Sequence, residues 1–372
     1  MKTVAFNLTF IKPGPLSGPG YYAVQLFEYA IRQPAGDRPL RLVAYIQPSA
    51  LNHLSDHART FARCSPELGG QVSRVLFEQL VLPFVARKER IDLLFSPGFV
   101  SPLWGAKHLV VTVCDMYYRT IPELISYLQV KYWSVMIPLT SRVCSRIITI
   151  SDHSKSDIER FLPAARGKTV SIPLASRFNA APSEDDAQDS VPAFVLMVAN
   201  LTGNKNPGVV VEALATLNQG GRSLRFVHAG SDPHGILKDS IIRHNASSFV
   251  TMLGKISDEH LAHLYRTCLA VVTPSYYEGF GMPAVEAQAM GAPLISSDRA
   301  ALPEAGGAAA LYFDPSRPDE LADRIATVMD LSAEERSELV QRSLESAARF
   351  SWERTARETI AVFADVISGS KF

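Results

Sequence analysis

Residues 269–291 read LAVVTPSYYEGFGMPAVEAQAMG, which predicts a strand, a glycine-containing turn and a helix in that order. The first five residues are apolar or β-branched, as in a buried strand. Pro283 suits the first turn of a helix, where the missing backbone N–H has no helical partner to lose, and Gly291 suits the end of one. Free N–H groups at such a helix start attract a phosphate, and Gly279 and Gly281 allow the backbone to come close to it.

Short apolar strand patterns alternate with longer helical patterns on both sides of this stretch. In the first half, the predicted strands are residues 4–10, 40–46, 93–96, 109–113 and 146–150, and the predicted helices are residues 21–31, 72–88 and 154–161. In the second half, the predicted strands are residues 194–199, 224–229, 250–253, 269–273 and 293–296, and the predicted helices are residues 209–218, 258–266 and 283–290. This alternation predicts an α/β protein with two doubly wound, Rossmann-like domains facing across a cleft, with ligands at the carboxyl ends of the strands. The acidic residues 183–190, which have no apolar period, predict a linker or an exposed loop.

The composition is that of a globular protein of about two domains. The chain has 372 residues, of which 47% are hydrophobic and 20% are charged, and its 37 basic side chains balance its 37 acidic ones. A general nucleic-acid binder would be more basic, so we expect no nucleic-acid partner. Residues 1–180 hold 21 basic and 12 acidic side chains, whereas residues 181–372 hold 16 and 25. Either the two halves attract each other, or the first half faces an anionic surface.

The cysteines and the N-terminus indicate a cytoplasmic protein. The four cysteines are far apart and form no C-x-x-C pair, which predicts neither a zinc site nor a disulfide framework: Cys64, Cys114, Cys144 and Cys268. The apolar run at residues 4–10 is too short for a signal peptide, and no apolar run is long enough for a membrane helix. Because the chain contains no Asp-x-Asp and no His/Cys cluster, we expect an activity that needs no metal and no cofactor.

Two carboxylates accompany the predicted phosphate site. Glu278 lies in the turn, and Glu286 lies near the start of the following helix, about one turn behind. Like charges repel, so these carboxylates are better suited to accept hydrogen bonds from hydroxyls, which a sugar and a ribose supply. In the alternative interpretation, Glu286 merely favours the helix dipole and Glu278 is solvated.

The block EGFGMPAVEA, with seven residues between Glu278 and Glu286, is similar to the E-x7-E signature of family 4 glycosyltransferases, which are retaining enzymes of the GT-B fold. The resemblance covers nearly the whole chain. Its other parts are SGPGY at 17–21, NLTGNKNP at 200–207, LPE at 302–304, FDP at 313–315 and FSW at 350–352. The resemblance implies an acceptor-binding domain at residues 1–180, a nucleotide-sugar-binding domain at residues 190–352 and a final helix at about 353–372 that packs back on the first domain.

The resemblance also implies a role for each matching residue. Glu278 would contact the hydroxyls of the donor sugar, Glu286 the ribose, and Lys205 the diphosphate. Backbone amides would hold phosphate and sugar at Gly279, Phe280, Gly281 and Met282. Lys255 and Ile256 would seat the base. Gly18 and Gly20 would approach the donor phosphates or the acceptor.

Two positions depart from the pattern of the family. Asn200 stands where many members have an arginine, which removes one cation from the diphosphate site. Cys114 and Asp115 stand where the family often has His-Asp, and the histidine normally lies near the donor sugar. Asp115 follows a predicted strand and would contact sugar or acceptor, or else cap a helix. The expected catalytic residues are therefore Glu278, Asp115 and Lys205. His153 is a further candidate, but it is a lone histidine beside a predicted helix start, where a structural role is the alternative.

The expected function is retaining transfer of a hexose, with mannose or a deoxyhexose from a GDP-sugar as the leading donor, to a glycan or lipid-linked acceptor in surface polysaccharide biosynthesis. A UDP- or dTDP-sugar donor and a nucleotide-sugar epimerase on the same fold remain open alternatives. The basic first half and the apolar helix at 75–85, which ends in basic residues, further suggest peripheral contact at the inner face of the plasma membrane, although a buried helix fits the same pattern.

Other classes of protein fit less well. Residues 18–23 formally match the dinucleotide-binding G-x-G-x-x-A, but residues 11–17 separate them from the first strand and Asp37 precedes the second strand instead of ending it. A glycosidase would need a barrel or sandwich cleft between its two carboxylates. A periplasmic sugar receptor would need an export signal, which we do not expect here.

Overall fold

The computed structural model of the protein describes residues 1–33, 40–178 and 193–369. These residues form two compact units, one of Met1–Leu174 with Ser351–Phe372 and one of Ala175–Phe350. The predicted linker at 183–190 and Asp37 lie outside the described residues, as do the last three residues of the predicted final helix.

The N-terminal unit is built on a parallel sheet, for which the described residues supply seven strands in the order β3-β2-β1-β4-β5-β6-β7. Its strands are β1 (Lys2–Asn7), β2 (Leu40–Ile46), β3 (Ala62–Cys64), β4 (Leu93–Ser96), β5 (His108–Thr112), β6 (Arg146–Thr149) and β7 (Thr169–Ser171). Strand β1 lies between β2 and β4. The chain first adds β2 and β3 on one side of β1 and then crosses to the other side to add β4, so the strand order switches at the carboxyl ends of β1 and β4. That switch is the place where doubly wound sheets hold ligands.

Helices cover the N-terminal sheet and bury its apolar residues. They are α1 (Gly18–Ala30), α2 (Asp56–Arg59), α3 (Gln71–Leu76), α4 (Leu82–Lys88), α5 (Tyr117–Thr120), α6 (Tyr127–Val143) and α7 (Asp152–Phe161). A π-helical turn, Phe77–Val81, joins α3 to α4 where the sequence predicts one continuous helix. Pro83 follows at the start of α4 and has no N–H for the helical ladder. The π-helical turn therefore lies just before a proline that cannot donate a backbone hydrogen bond, where the regular α-helical bonding has to change.

The C-terminal unit repeats the architecture with a six-stranded parallel sheet among its described residues. Its strands, in the order β10-β9-β8-β11-β12-β13, are β8 (Phe194–Val198), β9 (Arg225–Ala229), β10 (Val250–Gly254), β11 (Ala270–Thr273), β12 (Leu294–Ser297) and β13 (Leu311–Phe313). Its helices are α8 (Pro207–Gln219), α9 (Ile236–Arg243), α10 (Asp258–Thr267), α11 (Met282–Ala289), α12 (Leu302–Gly306), α13 (Pro318–Met329) and α14 (Ala333–Ala347). Here β8 lies between β9 and β11, which places the switch in strand order at the carboxyl ends of β8 and β11.

The last helix, α15 (Trp352–Ser368), belongs to the N-terminal unit. Its Phe363 ring lies 5.8 Å from the ring of Phe6 in β1 and 5.0 Å from that of Phe95 in β4. Ser351 caps the helix by accepting a hydrogen bond from the Arg354 backbone N–H. The apolar face of α15 thus completes the core over the central strands.

The structure corrects several expected boundaries. Helix α1 begins at Gly18 rather than at residue 21, because the side chain of Ser17 caps it by accepting a hydrogen bond from the N–H of Gly20. The expected glycine loop is therefore the first turn of a helix. The short strands β3, β7 and β13 were not predicted, since three residues carry no readable alternation. The two parallel, doubly wound sheets confirm the α/β class.

Candidate active site

The turn between β11 and α11 brings backbone N–H groups to the edge of the C-terminal sheet. Gly281 is the N-cap of α11 and has a φ of 104°, which side-chain-bearing residues rarely adopt. A Cβ atom at this position would lie 2.8 Å from Cδ2 of Leu302 in α12. Pro283 occupies the first turn, as the sequence predicts. The positive φ therefore favours glycine at this helix start, and a side chain there would also have to displace the end of Leu302.

Glu278 and Lys205 meet beside this turn. Nζ of Lys205 donates a hydrogen bond to Oε1 of Glu278, and the Ser275 hydroxyl donates to the same oxygen at 2.7 Å. The two charged side chains remain 21% and 19% exposed. A cation and a carboxylate are therefore held together at the surface, where an anionic, hydroxyl-rich ligand could reach both.

Asn204 ties the loop that carries Lys205 to the turn that carries Glu278. Its side-chain N–H donates to the backbone carbonyl of Tyr277 at 2.8 Å, and its backbone carbonyl accepts from the backbone N–H of Tyr276 at 2.8 Å. The next residue, Asn206, has a left-handed conformation that turns the chain into α8. Because β8 and β11 are neighbours in the sheet, the loops that follow them meet at their carboxyl ends.

A shallow surface depression opens beside the ion pair. It is lined by Met197, Val198, Ala199, Lys205, Val272, Thr273, Pro274, Ser275, Glu278, Gly281, Pro283 and Leu302. Polar groups thus converge on one side of a mostly apolar wall, which is the usual make-up of a small-molecule site.

Glu286 lies in the middle of α11 and is only 1% exposed. Nε and Nη2 of Arg177 donate to its two oxygens at 2.6 and 3.1 Å, and the Tyr265 hydroxyl donates to Oε2 at 3.0 Å. Although partial burial acts to lower it, the bonds and charge of Glu286 raise the pKa of Arg177 above its ordinary value. Glu286 is therefore a buried carboxylate with a counter-charge of its own, in addition to its place on the helix.

The other residues expected near the donor occupy varied places. Phe280 is buried, with its ring 5.5 Å from the ring of Phe350, and Gly279 is also buried. Asn200 Oδ1 accepts from both the N–H and the hydroxyl of Ser231, so it ties two loops together. Lys255 is exposed and Ile256 half-buried on the loop after the edge strand β10. Within the described residues, no hydrogen bond or ion pair joins Lys255 to Glu278 or Lys205.

In the N-terminal unit, Gly18 and Gly20 lie in the first turn of α1, after the central strand β1. Asp115 follows β5 and accepts a hydrogen bond from the N–H of Tyr117 at 3.0 Å. Cys114 is buried, and burial raises the pKa of its thiol, so it does not replace the charge of the family histidine. His153 in α7 lies 3.4 Å from Asp157 of the same helix, which fits its structural interpretation.

One polar cluster in the N-terminal unit escaped the sequence analysis. Glu78, in the π-helical turn, is 3% exposed and accepts hydrogen bonds from Asn7 and Thr9 at 3.3 and 3.2 Å. Arg74 Nη1 lies 3.8 Å from the same carboxylate oxygen. Burial raises the pKa of Glu78, against the opposing effects of Arg74, Asn7 and Thr9. The one available signal was a polar residue, Asn7, in the middle of a predicted apolar strand.

No group of three or more His, Cys, Asp or Glu side chains in residues 1–33, 40–178 and 193–369 is placed to hold a metal ion. In the same part of the chain, no helix has the length and apolar character to cross a membrane.

Sequence comparisons connect this site with sugar transfer. Residues 183–345 match the family model described as Glycosyl transferases group 1. The chain is similar to O-antigen chain mannosyltransferase B of Escherichia coli, with 28% identity over 281 residues that cover 72% of this chain and 73% of that protein. It is also similar to MMP alpha-(1->4)-mannosyltransferase of Mycolicibacterium hassiacum, with 28% identity over 247 residues that cover 64% of this chain and 59% of that protein. The second match thus spans less than two thirds of the relative.

A comparison of structures confirms the predicted fold class. Sucrose-phosphate synthase from Thermosynechococcus elongatus matches with a TM-score of 0.76 and 20% sequence identity, over 100% of both chains. At this identity the likeness concerns the fold alone, which is GT-B, with two Rossmann-like parallel sheets.

Proposed function

We propose that the protein, which is a hexosyltransferase, moves a hexose from a nucleoside-diphosphate sugar to a hydroxyl of a glycan or lipid-linked acceptor. We further propose that it belongs to glycosyltransferase family 4 and retains the anomeric configuration. The observation that carries the proposal is the pair of Lys205 and Glu278 beside the start of α11, at the edge of an open depression.

The diphosphate binds where positive potential is already in place. Lys205 supplies one charge, and the N–H groups of Gly279, Phe280, Gly281 and Met282 lie at or before the helix start. Groups held in this way cost no reorganisation when charge develops on the leaving diphosphate. The supporting geometry is the tie through Asn204, which holds the lysine loop against the turn.

The carboxylates recognise the hydroxyls of the donor. Glu278 accepts hydrogen bonds from the sugar, because it is partly exposed beside Lys205, and Glu286 accepts from the ribose. Lys255 and Ile256 contact the base, and Asn200 supports the diphosphate loop through its bonds to Ser231. Asp115 and the two glycines of α1 act on the acceptor in the N-terminal unit.

The reaction exchanges one bond at the anomeric carbon for another. The bond from C1 of the sugar to the diphosphate oxygen breaks, and a bond from C1 to the acceptor oxygen forms on the same face. The proton of the acceptor hydroxyl passes to the departing phosphate oxygen, so the transfer needs no separate base. The contribution of the protein is to stabilise the negative charge on the diphosphate while the sugar becomes oxocarbenium-like.

The donor is proposed to be GDP-mannose or a GDP-deoxyhexose, and the names of the two mannosyltransferase relatives support mannose as the sugar. A thermal-shift screen of GDP-, UDP- and dTDP-sugars tests this choice, and stabilisation by a UDP- or dTDP-sugar alone would contradict it. Donor hydrolysis, epimerisation and transfer are then assayed side by side. Epimerised donor without a transferred sugar would favour the epimerase and contradict the proposed reaction.

The acceptor is proposed to be lipid-linked and to be met at the surface of a membrane. Helices α3 and α4, with the π-helical turn between them, expose an apolar face of side chains that are between 46% and 74% accessible: Val72, Leu76, Leu80, Val81 and Phe84. Helix α3 has no buried residue, but the π-helical turn and α4 bury their opposite side at Phe77, Leu82 and Ala86, so the expected lipid contact and the expected buried helix describe two sides of residues 77–88. Arg87 and Lys88 end α4 and would meet anionic headgroups.

Sedimentation with lipid vesicles tests the membrane contact. The protein should bind phosphatidylcholine vesicles that contain phosphatidylglycerol, and raised salt should weaken binding by screening the basic residues. The double variant Leu80→Gln/Phe84→Gln should lose binding. Ile242→Gln, at a still more exposed apolar position in the C-terminal unit, is the control. Equal binding of both variants would contradict this surface.

A further inference from the structure

The carboxylate of Glu286 is held by donors that the activity described so far does not explain. Arg177 binds it with Nε and Nη2, along one edge of the guanidinium, and the Tyr265 hydroxyl donates to Oε2 as well. Burial, followed by the nearby charge of Glu286, raises the pKa of Tyr265 well above its ordinary value, so this hydroxyl keeps its proton and donates. A carboxylate offers about four acceptor positions, and three are occupied here. The open position is on Oε1.

Arg177 comes from outside both the sheet and α11. It is the third residue of the C-terminal unit, which begins at Ala175, and its segment leads toward β8. Its Nη1 also lies 3.3 Å from Asp258 at the start of α10. The neighbouring Phe178 ring lies 5.7 Å from the ring of Tyr265. These contacts fix the connecting segment against α10 and α11.

The energetic reason for such a clamp is the burial of Glu286. A carboxylate that is almost fully removed from water is strongly disfavoured unless a counter-charge and hydrogen bonds replace its hydration. A bidentate arginine does both and also fixes the plane of the carboxylate. Without it, Glu286 would lose its charge, its orientation or both.

We propose that Arg177 is a positioning residue for nucleotide recognition, which keeps Glu286 charged and turns Oε1 toward a ribose hydroxyl. This inference rests on the proposed function, in which Glu286 accepts a hydrogen bond from the ribose. It adds that recognition of the ribose depends on the segment at which the chain enters the C-terminal unit. Tyr265 assists by occupying Oε2.

Binding of nucleotides with and without the 2′ and 3′ hydroxyls of the ribose tests the proposal. The dissociation constants of GDP and UDP are compared with those of 2′,3′-dideoxy-GDP and 2′,3′-dideoxy-UDP by calorimetry. The wild type should prefer the ribose form of its nucleotide by about 10- to 100-fold, the value of a hydrogen bond to a charged group. Arg177→Met should reduce this preference to less than about threefold and bind the dideoxy form as the wild type does.

Variants separate positioning from a general loss of structure. Arg177→Lys, which keeps the charge but lacks the fork, should recover part of the preference. Arg222→Met is the matched control, because Arg222 makes a similar bidentate pair with Asp330 on the surface of the same unit. If Arg177→Met does not fold, Arg177→Lys and Tyr265→Phe provide the test, and each should show a reduced preference.

The outcomes distinguish the inference from the function on which it rests. A wild type that binds none of these nucleotides overturns both. A wild type that prefers ribose while Arg177→Met keeps the full preference overturns the inference alone. An equal loss of affinity for ribose and dideoxy forms also overturns it, because that result indicates only a structural role.

Discussion

The two sheets have the same order for their first six strands, yet Glu278 and Glu286 in one unit and Glu78 in the other are held in different ways. In the C-terminal unit, Glu286 is paired with a bidentate arginine, and Glu278 is paired with Lys205. In the N-terminal unit, Glu78 is bound mainly by the neutral side chains of Asn7 and Thr9. Glu286 and Glu278 each have a cation within hydrogen-bond distance, whereas Glu78 accepts hydrogen bonds from neutral side chains and has Arg74 Nη1 only at 3.8 Å.

The comparison of these glutamates indicates that a shared fold brings polar groups together at similar places without determining their charge state. In both units, the polar groups are at the end of the strand from which the crossovers diverge. Burial raises the pKa of Glu78, which favours its neutral form. A site for an anionic ligand is expected where cations are built in, which favours the C-terminal unit.

The largest effect should come from removing the cation beside Glu278. Lys205→Met should lower the rate of sugar transfer by about 10²- to 10³-fold, because one preorganised charge at the diphosphate is lost. Steady-state assays with the donor identified by the screen measure this effect. Lys238→Met, at an exposed lysine of the same unit, should leave the rate unchanged. A wild-type transfer rate in Lys205→Met would contradict the proposed role of the Lys205 cation at the diphosphate.

The same substitution should act differently on the two buried glutamates. Glu286→Gln should destabilise the C-terminal unit by about 3 kcal/mol, because it leaves the guanidinium of Arg177 without its counter-charge. Glu78→Gln should cost little near neutral pH, since a glutamine oxygen can still accept from Asn7 and Thr9. Urea unfolding followed by hydrogen exchange in α11 and β1 reports each unit separately. Equal losses in both units would contradict the distinction.

A second matched pair compares glycines at two helix starts. Gly281→Ala should destabilise the protein by about 2 kcal/mol, because the residue has positive φ and its Cβ would meet Leu302. Gly18→Ala should be neutral or slightly stabilising, since Gly18 is helical and a Cβ there has open space around it. Thermal unfolding measures both. Transfer that falls in Gly18→Ala without loss of stability would support close approach of a substrate to α1.

Much of the fold could be predicted because strand and helix periods are local properties of the sequence. The turn at 274–281 was also readable, since the roles of glycine and proline at a helix start do not depend on distant residues. The start of α1 could not be predicted from periodicity, because residue 18 is a glycine and the helix begins with a capping bond in which Ser17 accepts from the N–H of Gly20. Periodicity also could not say which face of residues 72–88 is exposed, since both faces of that stretch carry apolar side chains.

The partners of the site residues could not be predicted from spacing. Arg177 is 109 residues from Glu286 in the sequence, and Tyr265 is 21 residues away, so only the tertiary structure brings them together. Glu78 and Asn7 are 71 residues apart for the same reason. The resemblance to a family named Glu286 as a ligand-binding residue, but it did not supply the arginine that holds it.

The smallest predicted effect concerns the pH dependence of the N-terminal unit. Because burial raises the pKa of Glu78 above its ordinary value of 4.5, protonation stabilises the folded state. This contribution is fully present below the unfolded pKa and is lost as the pH rises through the folded one. The free energy of unfolding of the wild type, relative to Glu78→Gln, should therefore fall from pH 4.5 upward, by at most about 1.4 kcal/mol per pH unit. The groups that face Glu78 are Asn7, Thr9, Arg74 and Tyr132, and each remains in both proteins. Urea unfolding across this range measures the difference, with Glu123→Gln as the exposed control. A difference that does not change with pH would mean that Glu78 is charged throughout, and the two regions would then hold their carboxylates in the same state.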